Sequence, residues 1–114
     1  MSQFILMIRG GYEATADFTP EEAQQSIARY SAWAQQLSEE KRLVSAFKLK
    51  DDGGRVMQRD GAQIVIDGPM AETRETIGGY FVIEAADYAE ATEIAKGCPI
   101  FDQDGSIEVR EIHL

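Results

Sequence analysis

Two short runs of β-forming residues carry apolar side chains on both of their faces, and that constrains the fold more than any other feature. Gln3 to Arg9 is too short for a helix and rich in strand formers. Side chains alternate across a strand, so Phe4, Leu6 and Ile8 point one way while Ile5 and Met7 point the other. Tyr80 to Ala85 repeats the pattern, with Phe81 and Ile83 opposing Tyr80 and Val82. A helical layer covers one face of a sheet and no more. Apolar burial stabilises by about 25 cal/mol per Å², so several such residues left in water forfeit several kcal/mol. The second face therefore calls for a cover, either a hairpin folded across it or a second copy of the chain. The expectation is a homodimer stacked through its sheet faces.

The helices are marked by their starts. Thr19-Pro20-Glu21-Glu22 supplies an N-cap, a proline at the first helical position and a Glu three residues after the cap. Ala23, Ile27, Tyr30, Ala34 and Leu37 then form an apolar stripe, which predicts a helix to about Leu37 or Ser38. Asp87 with Glu90 repeats the capping signature. Tyr88, Ala91, Ile94 and Ala95 supply a second buried face, and Gly97 and Pro99 its stop. Between the helices, Leu43 to Leu49 reads as a strand. Arg55–Arg59 and Gln63–Ile66 read as hairpin arms around Asp60-Gly61, a dipeptide suited to a type I′ turn. Asp102 to Gly105 is a turn-rich link, and Ile107 to Ile112 closes the chain as the last strand. The order predicts a single α+β domain over residues 1–114, ferredoxin-like βαββαβ with an inserted β-hairpin.

Composition excludes several functions. The chain has 114 residues, 11 Lys+Arg against 20 Asp+Glu, and a formal charge of -9, a field that repels nucleic acid and anionic membrane surfaces alike. The first apolar run is too short for a signal-peptide core or a membrane span. One cysteine, Cys98, permits no intrachain disulfide, and a reducing, cytoplasmic location is the expectation. One histidine, His113, cannot build a multi-histidine metal site. No metal and no cofactor are expected.

One string stands out: Asp67-Gly68-Pro69-Met70-Ala71-Glu72-Thr73-Arg74-Glu75, then Gly78-Gly79-Tyr80, and finally Glu108-Val109-Arg110. It resembles the DGPF-type branch of the YCII-related family, whose members read Asp-Gly-Pro-Phe, Glu-Thr-Lys-Glu, Gly-Gly-Tyr and a terminal Glu-Val-Arg-Pro. The resemblance implies a ferredoxin-like, dimeric α+β barrel. It implies no known activity, because the branch is largely uncharacterised. Some YCII-related proteins have been proposed as enzymes that use a His/Asp pair. The first helix here has no histidine, so that pair does not carry over intact. Further departures are Met70 for Phe, Arg74 for Lys and Glu111 for the final Pro.

Several residues are candidates for chemistry, each beside a plainer reading. Asp67, Glu72 and Glu75 can supply acid–base catalysis, or they can serve their own turn and the surrounding water. Their spacing matches no ion-binding template. Arg110, two residues from Glu108 on one strand face, can clamp an anionic ligand, pair with Glu108 or bridge subunits. Tyr80 and Tyr30 can present hydroxyls to a ligand or simply pack. Cys98 follows a helix C-terminus, where the dipole does not favour a thiolate, and reads as packed and inert. His113 reads as a surface residue near the chain end. Two functions follow as expectations. One is a small cofactor-independent enzyme acting on a small molecule in a cleft near the sheet, and the other is a non-catalytic metabolite-binding or accessory interaction module.

Overall fold

The computed structural model describes residues 1–10, 17–50, 54–67 and 77–114, with the side chains of Val65 and Asp67 outside that description. The elements are strand β1 (Ser2–Gly10), helix α1 (Pro20–Glu39), β2 (Leu43–Lys48), the hairpin strands β3 (Val56–Asp60) and β4 (Gln63–Asp67), then β5 (Ile77–Ala85), α2 (Tyr88–Ala95), a 3-10 turn over Pro99–Gln103, and β6 (Gly105–Glu111). Four strands form one sheet in the order β2-β5-β1-β6, with every neighbouring pair antiparallel. That order is compatible with a ferredoxin-like fold. It sets the two most apolar strands, β1 and β5, in the centre. Among the described residues, β3 and β4 pair only with each other, in a separate two-stranded sheet.

Both helices start as their sequences dictate. The Thr19 hydroxyl accepts from the Glu22 N–H at 3.2 Å and the Glu22 carboxylate accepts from the Thr19 N–H at 3.2 Å, which completes a capping box. At α2 the Asp87 carboxylate accepts from the Glu90 N–H at 2.9 Å. Glu90 does not reciprocate onto Asp87. Its carboxylate takes the Ala86 N–H at 3.0 Å and an Arg42 Nη1–H at 2.7 Å, tying the helix start to the β2 entry.

One face of the sheet makes the core. Phe4, Leu6 and Ile8 of β1 and Phe81, Ile83 and Ala85 of β5 pack against Trp33 and Leu37 of α1 and Ala91 and Ala95 of α2, with Cys98 and Ile100 closing one end. The Trp33 and Phe81 rings lie 4.6 Å apart, and Tyr88 sets its ring edge-on to Phe4 at 4.9 Å.

The buried stripe of α1 is rotated from the expected one: Trp33 is buried and Ile27 is 61% exposed. The 3-10 turn explains the rotation. Gln103, itself buried, donates to the Ser26 hydroxyl at 2.6 Å, and Arg29 pairs with Asp102, so α1 presents its Ser26–Tyr30–Trp33 edge to that segment. Gly97 and Pro99 follow the end of α2 directly, as their sequence positions predict. α2 ends with Lys96 still right-handed, and Pro99 opens the 3-10 turn, whose end is the left-handed Asp104.

The hairpin turn is displaced by one residue. Asp60 pairs with Gln63, so the two-residue loop is Gly61-Ala62 rather than Asp60-Gly61. Gly61 has φ +61°, and Ala62 is not among the positive-φ residues. A type I′ turn needs both central residues at positive φ, whereas type II′ needs only the first, so the loop follows the II′ pattern.

The adjacent glycines of β5 separate two backbone demands. A Cβ on Gly79 would lie 2.8 Å from the Phe47 carbonyl oxygen and 3.4 Å from the Lys48 Cα, whereas one on Gly78 would meet nothing closer than 4.0 Å. Gly79→Ala is therefore expected to destabilise the fold by about 2 kcal/mol and Gly78→Ala by less than about 0.5 kcal/mol. Thermal denaturation of the two variants tests the contrast, and equal melting temperatures would show that the β2–β5 contact gives way freely.

Candidate functional site

The helix-free face of the sheet follows from register. Residues directly opposite in an antiparallel pair share a face. Met7 faces Tyr80 on β5 and Glu108 on β6, and Ile5 faces Val82 and Arg110. On β2, Ser45 faces Val82 and Phe47 faces Tyr80. The centre of this face is thus apolar and aromatic: Ile5, Met7, Val82, Tyr80 and Phe47. The Tyr80 and Phe47 rings lie 5.6 Å apart, and Phe47 is 60% exposed.

A charged cluster borders that patch along β6. Glu108 Oε1 accepts from Arg9 Nη2 at 3.1 Å and Glu108 Oε2 accepts from Arg110 Nη1 at 3.4 Å. One carboxylate is thereby shared by two guanidiniums. The side chain of Arg110 is 66% exposed, against 29% for that of Arg9. Arg9 lies against the sheet as a support, and Arg110 presents its planar donors outward, the geometry that suits a carboxylate or phosphate.

The expected site residues fall into three places. Arg110 and Tyr80 share the helix-free face on either side of β1, opposite Ile5 and Met7 respectively, so their Cα atoms lie about 12 Å apart at ordinary strand spacing and rise. Tyr30 is on the other side of the sheet, packed against the core at the α1 surface. Burial pushes its hydroxyl well above the usual tyrosine range, and the neighbouring Cys98 reinforces this. Burial likewise raises the Cys98 thiol, against an opposing contribution from the Ile100 backbone and the Tyr30 hydroxyl. The two form a packed polar contact inside the helical layer. Glu72, Glu75 and the Asp67 side chain lie outside the described residues. His113 is exposed beyond the end of β6. Among the described residues, no three of His, Cys, Asp and Glu group as metal ligands, and no helix is long and apolar enough to cross a membrane.

Arg9 is the site residue that sequence reading does not select. Ninety-nine positions separate it from Glu108, and no motif joins them. The usable signal is indirect: Arg9 follows Ile5 and Met7 at the strand's own alternation, which commits it to the face opposite Phe4, Leu6 and Ile8.

Comparison with known proteins places the sequence in a family. The profile of the YCII-related domain covers residues 3–114. A protein of Rhizobium meliloti, described only as uncharacterised, is 40% identical over 55 residues, a stretch that is 47% of this chain and 44% of that protein. The chain therefore matches less than half the length of this relative.

The packing of Cys98 generates a reactivity prediction. The residue is 3% exposed and its thiol titrates above the ordinary range, so both access and thiolate fraction are low. Native protein at pH 8 is expected to react with a thiol-selective disulfide reagent at least about 100-fold more slowly than the same protein in denaturant. Comparable rates in both would mean that Cys98 and its Tyr30 neighbour are open to solvent.

Proposed function

The chain belongs to the YCII-related domain family, and from that premise we propose that it works as a cytoplasmic homodimer, joined through the helix-free sheet faces, that holds an anionic small molecule. The observation that carries this reading is the composition of that face. Ile5, Met7, Val82, Tyr80 and Phe47 form an apolar centre, and Arg9, Glu108 and Arg110 form a charged border beside it.

Stacking two such centres removes apolar surface from water, at about 25 cal/mol per Å². The described charges of the face are Arg9 and Arg110 with Glu84 and Glu108, a balanced set, so a strongly acidic chain meets its own copy here without net repulsion. Arg110 anchors the anionic group of the ligand. Tyr80 offers its ring, and a hydroxyl as hydrogen-bond donor. Asp67-Gly68-Pro69, Gly78-Gly79-Tyr80 and Glu108-Val109-Arg110 support assignment to the DGPF-type branch. In the catalytic version of this reading, Asp67, Glu72 and Glu75 supply acid and base without a cofactor.

A second, non-catalytic reading is favoured by the pairing of Glu108. Its two oxygens are both engaged by guanidiniums, which makes it an anchor for Arg110 rather than a base. In that version the chain binds its metabolite and does nothing further to it.

Sedimentation of the wild type is expected to give twice the chain mass. Met7→Glu, which lies off the core face, is expected to give monomers with unchanged far-ultraviolet dichroism. A wild type that stays monomeric at millimolar concentration would overturn the dimer.

A thermal-shift panel of small carboxylates and phosphates addresses the ligand. At least one is expected to raise the melting temperature of the wild type, and Arg110→Gln to abolish that shift while leaving the unliganded melting temperature within about 2 °C. If Asp67→Asn and Glu75→Gln retain the ligand shift but lose turnover of that compound, catalysis is assigned. If both instead lose stability with no ligand present, those carboxylates are structural.

A further inference from the structure

We draw no further inference here: the strongest candidate, the exposed Met57, Ile64 and Ile66 face of the β3–β4 hairpin, carries nothing because nothing in the described residues shows what covers it.

Discussion

The architecture depends on the two central strands having apolar side chains on both sides. β1 and β5 lie next to each other in register, with Leu6 opposite Phe81 and Phe4 opposite Ile83 on one face, and Met7 opposite Tyr80 and Ile5 opposite Val82 on the other. The first set meets α1 and α2 and becomes the core. Among the described residues, no helix lies over the second set. A one-residue slip between these strands would exchange the two faces, so register here decides which residues hold the fold together and which stand on the helix-free face.

The flanking elements follow from that division of labour. β2 and β6 take the edges, where their alternation is looser and polar groups are tolerated. β2 carries a bulge between Leu43 and Ser45, which returns Ser45 and Phe47 to the helix-free face after Leu43 has served the core. β6 places Val109 beside Leu6 on the helical side and sends Glu108 and Arg110 to the other. The charged border of the proposed site is therefore a consequence of where β6 docks. Arg9 joins it because β1 runs antiparallel to β6 and brings its own alternate residues alongside Glu108.

Burial separates the candidate residues more sharply than residue type does. Tyr30 and Tyr80 are the same side chain in different surroundings, since the sheet lies between them. Tyr30 faces Cys98 inside the helical layer, where the charged form of either group is disfavoured. Tyr80 stands on the helix-free face beside Phe47. The same reasoning makes Cys98 a packing residue.

The sequence by itself determined what is local. The capping box at Thr19–Glu22, the Asp87 cap, the period-two strands and the presence of a hairpin all arise from contacts within a few residues, and each is where its residues place it. The two-faced character of β1 and β5 was legible for the same reason, because alternation is a property of the strand alone. Tertiary structure decided everything that depends on a distant neighbour. Trp33 replaces Ile27 in the core because the 3-10 turn docks beside Ser26 and Arg29, which no helical period encodes. Gly61-Ala62 forms the turn because cross-strand pairing fixes Asp60 opposite Gln63. Arg9 and Glu108 meet across the length of the chain because packing of the whole sheet selects their strands as neighbours. Local chemistry sets which elements form, and only the burial of the shared apolar face sets how they are arranged.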